Sequence, residues 1–178
     1  MKLLKTVRAD TSDTFVFDRA AEPGEWAISG AFLFANLDPA SSGKTRAAFR
    51  SGFLGIGSFG WSTLAQIVEV SKEQRFAAVE QLTARLLERC GAPDLATARA
   101  AAEEEIAFAA SLCAHPPGML IAVSRRHEHE AIRESFRTLH ANSRAKPAPV
   151  FSFVEVVGEE PESPGHIDLV GLADRARR

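Results

Sequence analysis

The stretch SKEQRFAAVEQLTARLLERCGAPDLATARAAAEEEIAFAASLC (71–113) decides the fold class. Ser71 with Gln74 three residues on is the signature of a capping box. Phe76, Val79, Leu82, Leu86 and Cys90 then recur at helical spacing, and Gly91 supplies a stop. Pro93-Asp94 restarts the chain with Asp94 as cap, and Leu95, Ala98, Ala102, Ile106, Ala109 and Cys113 form a second stripe. The linker is short, so the two helices are expected to fold back as an αα-hairpin. The many alanines of the second helix permit close backbone approach to whatever covers it. Of Glu103, Glu104 and Glu105, two can face water. No Glu-x-x-His pair accompanies them, as a di-iron bundle requires.

Outward from the hairpin, the pattern changes to strands. On the N-terminal side, Leu3–Arg8 and Thr14–Phe17 are strand-like, and Trp26–Phe34 alternates apolar and small residues. Glu22-Pro23-Gly24-Glu25 reads as the turn of an antiparallel hairpin between the second and third runs. Residues 36–43 read as loop, Lys44–Arg50 as a short helical turn, and Ser62–Val70 as a further strand. On the C-terminal side, Met119–Val123 is a continuous apolar run expected as a strand buried on both faces. A third helix is expected from about Glu128 to Leu139, buried through Ile132, Phe136 and Leu139, and a last strand over Val150–Val157. The expectation is an α+β fold: a mostly antiparallel sheet of about six strands, covered on one face by the αα-hairpin and the third helix. One domain over 1–157 is expected, with 158–178 as an acidic, Pro-rich and then basic tail, partly flexible.

Composition narrows the function classes. The 178 residues are 46% hydrophobic and 25% charged, ordinary for a globular chain. Lys and Arg number 21 against 23 Asp and Glu, a net charge of −2. A nucleic-acid binder needs a stronger positive field, so no nucleic-acid partner is expected. No apolar run reaches the length of a membrane span, so no membrane partner is expected either. MKLLKTVRADTSD lacks the apolar centre of a secretory leader, and Cys90 and Cys113 have no CxxC spacing. Both cysteines fall at apolar helix positions, as small hydrophobes do. The plain reading is a reduced, cytoplasmic protein.

Four patterns bear on chemistry. Ser42-Gly43-Lys44-Thr45 ends like a phosphate-binding loop, but Asp38 stands where the first glycine belongs, and Pro39 removes a backbone donor. Gly55-Ile56-Gly57-Ser58-Phe59-Gly60 matches a dinucleotide fingerprint in letters, yet an extended segment follows it where a helix is required. Its glycines read first as geometric, allowing turns and close packing. The combination is more informative: Lys44, Arg46 and Arg50 beside Gly55, Gly57, Gly60 and Trp61 bring cations, open backbone donors and an aromatic wall together. Such a set suits an anionic, partly apolar small molecule. Histidines 127 and 129 would point about 200° apart on a helix, and Cys113/His115 and His166/Asp168 have no metal-ligand spacing. No metal or cofactor is expected, nor is any catalytic residue assigned.

Three stretches taken together, TFVFDRAAEPGEWAISGAF (14–32), FRSGFLGIGSFGWSTLAQIVEV (49–70) and AAAEEEIAFAASLCAHP (100–116), resemble an uncharacterised bacterial domain family of unknown function. The resemblance covers most of the chain and brings no activity, ligand or residue role. It implies at most an accessory role, beside a redox metalloenzyme in one version. The leading expectation is a non-catalytic binding or accessory protein with a protein partner or a homodimeric state. The alternatives are a binder or enzyme for an anionic ligand at Lys44, Arg46, Arg50 and the 52–61 loop, and a metalloprotein using His127, His129 or Cys113/His115.

Overall fold

A computed structural model describes residues 1–8, 11–38, 41–129, 131–140 and 155–156. Strands β1 (Lys2–Val7), β2 (Trp26–Ile28), β3 (Phe53–Gly55), β4 (Trp61–Ser62), β5 (Leu64–Glu69), β6 (Leu120–Glu128), β7 (Ala131–His140) and β8 (Glu155–Val156) form one sheet. Its spatial order is β4-β3-β2-β1-β5-β6-β7-β8, with every neighbouring pair antiparallel. Helices are α1 (Ser12–Val16), α2 (Gly43–Ser51), α3 (Lys72–Arg89) and α4 (Leu95–Ser111). The fold is therefore α+β with an antiparallel sheet and an αα-hairpin, and eight strands stand where about six were expected.

The sheet is strongly curled. Phe53 of β3 and Phe136 of β7 have ring centroids 6.2 Å apart. Five strand intervals separate them in the sheet order, about 24 Å in a flat sheet. Only a half-barrel brings such positions together. Register places Leu4 beside both Ala27 and Ile67, Ala65 beside Ile121, and Val123 beside Phe136, so these residues share the concave face. Helix α4 packs against β1 and β2 and closes the concavity, with Phe108 edge-on to Phe136 at 5.8 Å.

The αα-hairpin forms as local rules dictate. The Ser71 N–H donates to Gln74 Oε1 at 2.9 Å, and the Gln74 N–H donates to Ser71 Oγ at 3.2 Å, completing the capping box. Gly91, at φ +68°, turns the chain so that the Ala92 N–H reaches the Leu86 carbonyl. Val79, Leu82 and Leu86 of α3 and Ala98, Ala102, Ile106 and Ala109 of α4 enter the core. The ends of the two stripes do not: Phe76, Leu95 and Cys90 are exposed, and Arg99 lies over the Phe76 ring at 5.9 Å. Cys113 is buried as a small hydrophobe.

Three local readings are corrected by tertiary context. Thr14–Phe17 forms most of helix α1 and its end rather than a strand. The buried Asp13 carboxylate accepts from the Thr63 hydroxyl and backbone N–H, pinning that turn between β4 and β5, and only Phe17 goes inward while Phe15 and Val16 are exposed. The expected hairpin with α1 is thus absent, and β2 pairs with β1 and β3 instead. Within the run Trp26–Phe34 only the first three residues are strand, because Gly30 adopts φ +72° and starts a 3-10 turn over Ala31–Phe34. The segment expected as a third helix is strand β7. Burial there alternates strictly, with Ile132, Glu134, Phe136 and Thr138 half-buried between exposed Arg133, Ser135 and Arg137. Apolar residues four and three apart fit a helix, but the same residues with Glu134 fit a period of two. Of the expected last strand, 155–156 pair with β7, and 150–154, 157, the tail 158–178 and His166/Asp168 lie outside the described residues.

The glycines of 55–60 serve this packing. A Cβ on Gly60 would sit 2.5 Å from the Ala20 carbonyl oxygen, and one on Gly55 would sit 2.7 Å from Glu25 Oε2. Gly60→Ala is expected to destabilise by about 2–3 kcal/mol, since backbone must move to admit the methyl. Gly24, at φ +82° with open space around its Cβ position, should lose only about 1 kcal/mol on replacement by Ala. Urea unfolding of the two variants separates steric from conformational cost.

Candidate functional site

Strand β6 is flanked by β5 only through Leu120–Ala122, whereas its pairing with β7 runs on to Glu128. From Val123 onward the side vacated by β5 is taken by α2. The helix buries Ala48 and Phe49 there, in a second apolar cluster with Phe17 and Phe34. Phe34 meets Phe49 edge-on at 5.5 Å and stacks on Trp61 at 4.9 Å. Phe49 in turn stacks on the His127 ring at 4.5 Å.

Arg125 ties this corner together. Its side chain is fully buried. Nε donates to Glu134 Oε1 at 2.7 Å, and Nη1 donates to the Phe49 and Gly52 carbonyls at 3.1 and 2.8 Å. Nη2 donates to the Ser29 carbonyl at 2.5 Å and to Ser29 Oγ at 3.1 Å. A guanidinium has five N–H donors, so all of them are used by the protein. Ser29 Oγ also donates to Glu134 Oε1. Burial pulls the Arg125 pKa below its ordinary value, and the Glu134 carboxylate opposes that pull.

Between α2 and β6 lies a cleft of about 540 Å³, within the usual range for small-molecule sites. Arg46 and Arg50, one turn apart on α2, line it together with Arg125, Arg126 and His127 of β6. Arg46, Arg50 and Arg126 are exposed, and none is paired with a carboxylate among the described residues. His127 Nε2 is buried and has no hydrogen-bond partner among the described residues. Asp38, Ser41 and Ser124 add polar groups to the lining, and Leu37 and Phe49 add apolar ones.

Of the residues expected to hold a ligand, the structure brings Arg46 and Arg50 into this cleft, while Lys44, Gly55, Gly57, Gly60 and Trp61 do not line it. Trp61 packs on Phe34 instead. The 55–60 turn is held on the α3 side: the Ser58 N–H donates to Glu25 Oε2, and Arg85 Nη2 donates to the Gly57 carbonyl, both at 2.8 Å. Sequence reading missed Arg125 and Arg126, because the strand was expected over Met119–Val123 and a helix from about Glu128, which left 124–127 unassigned. The available signal was the apolar alternation of Ile121 and Val123, which continues inward to Arg125 and His127. His127 and His129 do not converge: His127 stacks on Phe49 and His129 sits at the exposed β6–β7 turn. Among the described residues no group of three His, Cys, Asp or Glu side chains is placed to hold a metal ion.

A family model of unknown function, DUF6505, matches residues 1–150. The chain belongs to the DUF6505 family. No curated protein matches it, and no solved structure matches it. Membership in DUF6505 carries no activity with it, so function must be argued from the site itself. Among the described residues no helix is long and apolar enough to cross a membrane.

One interior group stands apart from the satisfied network. Glu105 points inward from α4 while Glu103 and Glu104 are exposed, and its Oε2 is buried without a hydrogen-bond partner among the described residues. Burial pushes its pKa up from 4.5 to about 7; the Glu134 charge adds to the rise and Arg125 opposes it. The fold thus favours protonated Glu105. That preference is full below about pH 4.5 and lost as pH rises through about 7, a change on the order of 2–3 kcal/mol. Wild-type stability should fall over that interval, and Glu105→Gln should flatten the profile in urea unfolding at several pH values. Arg125→Met should destabilise by about 3–5 kcal/mol in the same assay at neutral pH, because it strands Glu134 and three carbonyls.

Proposed function

We propose that this protein is a non-catalytic binding protein whose ligand is an anionic small molecule seated in the α2–β6 cleft. The observation that carries this reading is three arginines, Arg46, Arg50 and Arg126, converging on one cleft with no described carboxylate paired to any of them. Like charges gathered in a concavity repel one another, and a chain of net charge −2 has carboxylates enough to pair them elsewhere. A bound oxyanion removes the repulsion and matches the fork geometry of guanidinium groups. His127 Nε2 would gain its missing hydrogen-bond partner from the same ligand, and Leu37 and Phe49 give an apolar wall for the rest of the molecule.

Apart from the Asp38 carboxylate and the apolar Leu37 and Phe49, the lining groups are cations and hydrogen-bonding side chains, which suit holding a ligand more than transforming it. A carrier, a sensor or an accessory subunit needs no more than that. Such a role fits the cytoplasm, where the exposed Cys90 thiol stays reduced.

Thermal-shift and calorimetric titration against a panel of inorganic and organic oxyanions tests the proposal. Arg50→Ala should weaken binding tenfold or more, since a hydrogen bond to a charged group contributes about 1.5–3 kcal/mol. Its melting temperature should stay within about two degrees of wild type, because the side chain is exposed. Equal affinity in wild type and Arg50→Ala would overturn the site.

A further inference from the structure

We infer that Glu105 couples occupancy of the α2–β6 cleft to a proton: an oxyanion enters with proton uptake at the Glu105 carboxyl, and affinity falls as that carboxyl ionises. The inference rests on the anion-binding reading of the cleft and adds its regulation.

Arg125 is the physical link. It lines the cleft, yet its five donors are taken by Glu134, Ser29 and the Phe49 and Gly52 carbonyls, so it acts on a ligand through its charge alone. Glu134 already balances that charge by direct contact. Glu105 lies one turn before Phe108 on α4, and Phe108 meets Phe136, two residues from Glu134 on β7, edge-on at 5.8 Å. Ionised Glu105 would make the set of Arg125, Glu134 and Glu105 net negative behind the arginines that receive the anion. Protonated Glu105 leaves the set neutral, and the field of Arg46, Arg50 and Arg126 then dominates. The buried, unpartnered Oε2 is consistent with a carboxyl that has no charge partner of its own and changes state cheaply. Because its pKa lies at about 7, both states are populated near neutrality. By linkage, an anion that prefers the protonated state must raise proton affinity by the same factor.

The charged groups on the packed elements leave this role to Glu105. Strand β6 brings Arg125, β7 brings Glu134, and Glu104 precedes it on α4. From β1, Lys2 acts at the Cys113 end of the helix. On α3, Glu80 is paired to Arg99. Strand β2 carries no charged residue.

Calorimetry on the full chain with sulfate as probe tests the coupling, since sulfate stays a dianion from pH 6 to pH 8. Wild type should bind sulfate about three- to tenfold more weakly at pH 8 than at pH 6, a coupling of ordinary allosteric size. Titrations in buffers of different ionisation enthalpy should show proton uptake near pH 7. Glu105→Gln should lose less affinity between pH 6 and pH 8, and take up fewer protons, than wild type; His127 lines the cleft in both proteins and cancels in that difference. Sulfate binding with the same pH dependence in both proteins would overturn the coupling and leave the cleft standing. Absence of sulfate binding at either pH, or binding indifferent to Arg50→Ala, would overturn the cleft reading and the coupling with it. Should Glu105→Gln fail to fold, carboxyl carbon-13 titration of wild type decides. A Glu105 midpoint that rises with sulfate supports the coupling, and an unmoved midpoint overturns it.

Discussion

A guanidinium removed from water must find a partner for every N–H it carries, and at Arg125 that requirement organises one whole corner of the molecule. The five donors reach Glu134 on the neighbouring strand, the Ser29 backbone and hydroxyl beyond β2, and two carbonyls at the end of α2. Those partners lie 96, 76 and 73 residues away at Ser29, Phe49 and Gly52. One side chain therefore joins three parts of the chain that no local rule brings together. It also draws the Ser29 carbonyl inward just where β2 gives way to Gly30 and the 3-10 turn.

The curl of the sheet makes that arrangement possible. Because β3 and β7 approach across the concavity, a residue on β6 can reach the end of β2 without crossing a flat sheet. The early end of β5 has the complementary effect. It leaves the outer half of β6 without a strand neighbour on that side, and α2 fills the gap with Phe49 while keeping its arginines at the rim. The cleft is thus a by-product of strand lengths, and its charge follows from which face of α2 the aromatic anchor consumes. Behind it, Glu105 is the point where helix packing has buried a carboxyl oxygen that has no hydrogen-bond partner among the described residues.

Helices α3 and α4 were legible from the sequence because their signals are local. The Ser71–Gln74 box, the Gly91 stop and the Asp94 cap involve neighbours within a few residues, and a stripe repeated over several turns leaves little ambiguity. Short segments were not legible for the opposite reason. Thr14–Phe17 has strand composition, but the distant Thr63 holds Asp13 in a helical turn. Residues 131–140 fit both periods, and the partner strand that resolves the choice runs on to Glu128, past the Val123 end expected for it. At the site, Arg46 and Arg50 could be singled out as a cationic helix face, whereas Arg126 and His127 could not be joined to them before β6 was known to run past β5.

By itself the sequence determined the α+β class, the αα-hairpin with its caps, the inward turn of the alanine stripe, and the presence of a cationic face on residues 44–50. Those follow from interactions within about one helical turn, or from an alternation that any half-buried strand must show. The tertiary structure alone decided the curl of the sheet, the strand identity of 131–140, and the meeting of α2 with the outer half of β6. It also decided which of three adjacent glutamates turns inward from α4. Each of these depends on pairing between residues distant in sequence, where one strand's length or one guanidinium's need for partners outweighs local preference.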